Sequence, residues 1–134
     1  MSAAELRGME LFESKGCTLC HSGPNFDGAA LATSSTPNDA GFWKYPLAVP
    51  EDIAADGDLE GTALTEATDA INHTDNGRGD VTGEESDAKV FKVPGLRTAC
   101  LTAPYFHTGN VTTLKTAIKV MAIAQSGQTI TDDE

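Results

Sequence analysis

Apolar residues recur at helical spacing in three stretches of this chain, and polar sequence separates them. The first stretch carries Leu6, Met9, Leu11 and Phe12 and predicts a helix over Ser2 to Lys15. Ser2 with Glu5 three residues on makes a capping box, and Gly16 suits the position just past the helix end. Gly8 shares a face with Phe12; a glycine inside a helix costs stability, so it marks close approach by another helix. From Ser22 to about Lys89, Gly, Asp, Asn, Ser, Thr and Pro dominate. Turn signals stand at Gly23-Pro24, Pro37-Asn38 and Asn76-Gly77. This region predicts mostly loop, interrupted by a short helix over Thr62 to Ile71 on which Leu64, Ala67 and Ile71 align. A second ordered region begins at Phe91-Lys92-Val93-Pro94-Gly95-Leu96-Arg97, and Pro94 and Pro104 bracket an irregular segment. Thr112 or Thr113 can cap a last helix ending at Ser126-Gly127. Its Leu114, Ala117, Ile118 and Met121 repeat at helical spacing, which predicts Met121 on the buried face.

So much loop is uncommon in a compact domain. One short motif changes the picture. Cys17-Thr18-Leu19-Cys20-His21 is a Cys-x-x-Cys-His run, the attachment signal for c-type haem. Two thiols one turn apart can both reach the vinyl groups on one edge of a porphyrin and form thioethers. The histidine that follows is placed for the proximal iron position. The motif occurs once, which predicts one covalent haem c. Two other readings use the same residues. A redox dithiol belongs at the start of a helix in a βαβ pattern, which is not found here. A zinc site would need Cys100 with His73 or His107 to complete it and would leave His21 idle.

Composition agrees with a prosthetic group. The 134 residues suffice for one modest core, and aromatics are only 6% of the chain; a porphyrin would supply missing apolar bulk. The net charge of −11 comes without a basic stripe, which argues against nucleic acid and suits either solubility or a basic redox partner. No apolar run approaches a membrane span. Met1-Ser2-Ala3-Ala4 lacks the basic start and apolar stretch of a secretory signal. Thioether attachment of haem belongs outside the bacterial cytoplasm, so the expectation is a mature form of an exported, periplasmic protein. Cys100 is then an odd third cysteine, expected to be buried and unreactive.

The sixth iron position must be filled or left open. Met1 lies at the terminus and Met9 on the helix leading to the proximal side; Met121 combines distance in sequence with an inward face. A thioether opposite histidine makes an electron-transferring iron of raised potential. His73 or His107 would compete as a second histidine ligand, and a methionine on an apolar helix face is more often plain core.

Taken together, Gly8 to Phe12, Cys17 to His21, Phe91 to Arg97 and Leu101-Thr102-Ala103-Pro104-Tyr105-Phe106-His107-Thr108-Gly109 resemble the bacterial dihaem cytochrome c peroxidases and their MauG-like relatives. The similarity covers nearly the whole chain and is to their C-terminal half, which carries the electron-transferring haem. Asn76-Gly77-Arg78 through Val81-Thr82-Gly83 is similar to the family's run before its Phe-Lys-Val-Pro element. The resemblance implies an all-α, cytochrome c-like single domain over 1–134, with long loops around one haem. It makes Cys17 and Cys20 the thioether residues, His21 the proximal ligand and Met121 the distal one. MauG-like members replace that methionine, so Met121 favours the peroxidase branch. The backbone carbonyls of Thr102 and Pro104 match contributors to a calcium site between two haem domains, and Tyr105 and His107 match residues that support the haem surroundings or a domain contact. Implied partners are a small electron donor, a cytochrome c or copper protein, and a second, peroxide-reducing haem domain or subunit. The family also leads one to expect, at Thr131-Asp132-Asp133-Glu134, the start of a terminal helix packing on Gly8 and Phe12. A free-standing monohaem carrier and peroxidase activity at this haem itself are the alternatives.

Overall fold

Ser2 starts the first helix. In the computed structural model, which describes residues 1–28, 42–44, 61–71 and 74–134, its hydroxyl accepts from the Glu5 amide while the Glu5 carboxylate accepts from the Ser2 amide. The helix α1, Ala3–Ser14, ends at Lys15, and Gly16 follows with φ +78°, a left-handed conformation that a side chain would resist. Leu11 and Phe12 are half-buried, whereas Leu6 and Met9 are about half exposed. Among the described residues, nothing lies within 4 Å of a Cβ built on Gly8, so the close approach expected there is not made. The Lys15 ammonium instead ties the end of α1 to the last residues of the chain, donating to the Thr129 carbonyl at 2.8 Å and pairing with Glu134 at 3.3 Å. Those last residues form a turn, with the Glu134 carboxylate accepting from the Thr131 amide.

A two-stranded antiparallel ribbon was not expected from the sequence. Strand β1, Phe42–Lys44, pairs with β2, Val90–Lys92, in the register Phe42 to Lys92 and Trp43 to Phe91. Gly77 adds a parallel bridge to Val90. A Cβ on Gly77 would stand 2.5 Å from the Val90 carbonyl oxygen and 2.8 Å from the Phe91 ring, at φ +58°; this position needs glycine. Between the ribbon strands, a helix over Gly61–Ile71 (α2) forms where the sequence predicts it. A further one-turn helix, α3 (Gly79–Thr82), and a 3₁₀ turn at Glu85–Asp87 lie within the stretch read as loop. Arg78 holds the two together, its Nε donating to Asp87 at 2.9 Å while Thr82 donates to the same carboxylate. Residues 29–41, 45–60 and 72–73, and with them the Pro37-Asn38 turn signal and His73, lie outside the described residues.

The core sits where α2 meets the last helix, α4 (Leu114–Met121), and the π turn Ala122–Ser126 that continues it. Ala67 and Val120 are fully buried there with Ala124 and Ile123, and Leu64 and Phe106 pack against them. Thr113 caps α4, accepting from the Thr116 amide at 3.1 Å. Glu66 of α2 receives both the amide and the hydroxyl of Thr112, at 3.1 and 2.8 Å, and so fixes α2 to the start of α4.

The buried face of α4 differs from the expectation. Thr116, Ala117, Lys119 and Val120 are buried, while Ile118 is 46% exposed and Leu114 and Met121 are only half-buried. The helix has two apolar stripes, and the core takes the one through Ala117, Val120 and Ala124. Thr116 and Lys119 are tolerated inside because each has a partner, the Thr113 hydroxyl at 2.8 Å and Asp132 at 2.8 Å. The fold is a small helical domain with little strand, compatible with the expected all-α, cytochrome c-like class.

Candidate functional site

Gly16, in its left-handed conformation, turns the chain sharply out of α1 into a 3₁₀ turn at Cys17–Leu19. The amides of Cys20 and His21 both donate to the Cys17 carbonyl, at 3.3 and 2.9 Å. Cys17, Cys20 and His21 are therefore brought together on a single turn, as their spacing predicts. Neither Cys17 nor Cys20 is in a disulfide, and both are partly buried. Burial pushes both thiols above the ordinary cysteine value, and for Cys20 the nearby Cys17 adds to the rise. A redox dithiol needs the opposite shift, toward thiolate. Among the described residues, no group of three or more His, Cys, Asp or Glu side chains is arranged to hold a metal ion.

His21 carries the decisive geometry. Its Nδ1 lies 2.9 Å from the Phe26 carbonyl oxygen. A carbonyl can only accept, so Nδ1 holds the proton and, in the neutral ring, the lone pair is on Nε2. Nε2 has no hydrogen-bond partner among the described residues. A metal-ligating histidine ordinarily donates its second N–H to a carbonyl or carboxylate, which fixes the tautomer and raises ligand basicity. The donor set thus fits a haem iron through Nε2 of His21, with two neutral thiols beside it for the thioether bonds.

Met121 comes from the far end of α4, at the junction with the π turn. Such turns are rare and concentrate at functional sites. With Leu114 and Ile118 it forms a second apolar stripe at i, i+4 and i+7, on which Ile118 is exposed and Leu114 and Met121 are half-buried. Met121, expected on the buried face of the helix, is half-buried on the second stripe. Its rival His107 is already engaged: its ring stacks on Phe91, with centroids 4.2 Å apart, and Nε2 lies 3.8 Å from Asp75. Burial lowers the His107 pKa, offset in part by Asp75.

Thr102 and Pro104 lie on one exposed segment, either side of Ala103. Tyr105 anchors that segment, pairing with Val111 and donating its hydroxyl to the Ala99 carbonyl at 3.1 Å. Two backbone carbonyls would supply only part of the roughly six to eight oxygens that calcium takes. Cys100, expected to be buried, is exposed on the 3₁₀ turn Ala99–Leu101, beside Leu101, which is 80% exposed. The turn is too short to cover its own side chains.

No family model matches the chain. Cytochrome c551 peroxidase of Nitrosomonas europaea is 37% identical to it over 130 residues, 97% of the chain. Cytochrome c551 peroxidase of Pseudomonas aeruginosa and cytochrome c peroxidase Ccp of Escherichia coli K12 are each 31% identical over all 134 residues. The chain is a relative of the bacterial cytochrome c peroxidases. It spans 30%, 31% and 23% of the length of these three relatives, less than a third in each case, so it corresponds to one portion of such a peroxidase. For this cytochrome c peroxidase relative, the residues that sequence reasoning could not find are those acting through backbone atoms. The Phe26 carbonyl that orients His21 is the main example; the Gly23-Pro24 turn signal marked its position but not its task.

Proposed function

We propose that this chain is the c-type haem electron-transfer domain of a dihaem cytochrome c peroxidase-like protein. The observation that carries the reading is His21, set one turn from two thiols with its Nδ1–H held by the Phe26 carbonyl and its Nε2 lone pair turned away from protein partners among the described residues. When bound, the haem supplies a one-electron couple. Cys17 and Cys20 would hold it through thioethers, and His21 would ligate the iron. Met121, on the second stripe of α4, would be the other iron ligand, and a thioether in that role would suit electron transfer rather than peroxide cleavage. The chain then passes electrons from a small cytochrome or copper protein to a peroxide-reducing haem in the remainder of the longer protein. The periplasm is the compartment that fits thioether attachment. Among the described residues no helix is long and apolar enough to cross a membrane. Thr102 and Pro104 would lend carbonyls to a calcium ion whose other ligands come from that second domain.

Rapid mixing tests this reading. The haem-loaded chain should exchange electrons quickly with a small cytochrome or copper protein and turn over hydrogen peroxide only weakly, and Met121→Ala should raise that turnover. Efficient peroxide turnover with Met121 still bound would place catalysis here and overturn the reading.

A further inference from the structure

The turn that carries the Phe26 carbonyl has three successive carbonyl groups in use. That of Phe26 receives His21 Nδ1–H at 2.9 Å. That of Asn25 receives the Leu96 amide at 3.3 Å. That of Pro24 receives Arg97 Nε at 2.6 Å. The Arg97 guanidinium also stands 5.6 Å from the centre of the Phe26 ring, within reach of a cation–π contact, and the Phe12 ring meets Phe26 edge-on at 5.8 Å. Phe26 itself is at φ +53°, in the left-handed region that a non-glycine residue occupies only at a cost. A conformation of that kind persists where its surroundings hold it.

Resting on the haem reading above, we infer that Arg97 is a positioning residue for His21. It clamps Pro24 and the Phe26 ring so that the Phe26 carbonyl stays aimed at Nδ1. A charge-assisted bond is roughly twice as strong as a neutral one, and Arg97 grips the turn on two sides, at a carbonyl and at a ring. Without it, Phe26 relaxes toward negative φ, its carbonyl turns away, and His21 loses both its orienting acceptor and part of its basicity. Among the described residues Arg97 makes its hydrogen bond to Pro24 and its ring contact to Phe26, not to His21 or the cysteines; it acts through the turn.

The test uses haem-loaded protein labelled with ¹⁵N-histidine and compares wild type with Arg97→Ala, Arg97→Met, Arg97→Lys and Gly95→Ala. Gly95 backs the same turn: a Cβ there would lie 3.2 Å from the Asn25 carbonyl oxygen, pressing on the turn with the arginine charge intact. Exchange of the His21 Nδ1 proton in the reduced protein should quicken by about tenfold in Arg97→Ala and Arg97→Met, taking the lower end of what losing such a partner costs in metal affinity as the scale. The reduction equilibrium should shift toward ferrous iron by up to about tenfold, roughly 59 mV for one electron. The sign is diagnostic, because loss of a positive charge alone shifts it toward ferric iron. Arg97→Lys should restore part of both effects, since one ammonium can serve the carbonyl or the ring but not both in the same geometry. Gly95→Ala should move both readouts in the direction of Arg97→Ala, and Arg97→Lys decides the role of Arg97 if the truncated variants do not fold, since wild-type readouts in Arg97→Lys would overturn the two-sided clamp. Exchange within about twofold of wild type in variants that carry covalent haem, or a shift toward ferric iron, would overturn the role of Arg97 and leave the haem reading standing. Wild-type polypeptide without attached haem in denaturing mass spectrometry would overturn both.

Discussion

Val120 and Ile118 sit two residues apart on α4 and should fail in different ways when truncated. Val120 is fully buried against Ala67 and Ala124, themselves 0% and 1% exposed. Val120→Ala removes apolar bulk worth about 1.6 kcal/mol, taking about 0.8 kcal/mol for each methylene-sized group. The alanines facing it have nothing to extend into the gap, so a cavity term adds to this and the total reaches about 2 kcal/mol or slightly more. For a chain of 134 residues, that corresponds to a melting temperature roughly 6–10 °C lower. The visible spectrum should not change, because Val120 faces α2. Ile118 is 46% exposed on the stripe it shares with Leu114 and Met121. Ile118→Ala should therefore perturb the haem band and speed binding of small exogenous ligands, with a change in melting temperature under half that of Val120→Ala. Thermal melts followed by far-ultraviolet circular dichroism, with visible spectra of the same haem-loaded samples, measure both quantities. A spectral change in Val120→Ala with no loss of melting temperature, or the reverse pattern in Ile118→Ala, would refute the assignment of two apolar faces to α4.

Met121→Ala should abolish the weak far-red sulfur-to-iron band of the oxidised protein, lower the reduction potential and admit exogenous ligands; an unchanged spectrum would move the distal role to a histidine. Gly77→Ala should destabilise the domain by about 2 kcal/mol or more in chemical denaturation, because it meets the Val90 carbonyl as well as a left-handed φ; a loss below about 0.5 kcal/mol would refute the close approach. Asp132 bridges Lys115 and Lys119, which hold its carboxyl at about 2, below the ordinary 3.8. Its folded pKa is depressed, so its contribution to stability is present above about pH 4 and is lost as pH falls toward 2. Asp132→Asn should flatten that part of the stability profile; a profile identical to wild type between pH 2 and 4 would refute it.

The cap of α1, the ends of α1 and α4, and α2 to within a residue were legible in the sequence because each is a local signal: Ser2 with Glu5, and Gly16 and Gly127 at the ends; the cap of α4 was narrowed to Thr112 or Thr113, and Thr113 takes it. The Cys-x-x-Cys-His turn was legible for the same reason. The ribbon was not, since Phe42–Lys44 pairs with a partner nearly fifty residues away and three residues carry too little alternation to show. On α4 the apolar periodicity was real, but it cannot say which of two stripes meets the core. A buried Lys119 with a carboxylate from the chain's last residues is likewise invisible to hydropathy. Exposure of Cys100 depends on how little covers a one-turn segment, which no count of cysteines reveals.

The acceptor that fixes His21 is a main-chain oxygen, and this limits how the site can be altered. Every amino acid carries that oxygen, so a scan of side chains at position 26 could remove a ring but never the hydrogen-bond partner. Phe26→Asn would even favour the same left-handed backbone at lower strain. An engineer wishing to retune His21 therefore has little leverage at the residue that touches it, and must work instead on whatever sets the direction of one peptide plane.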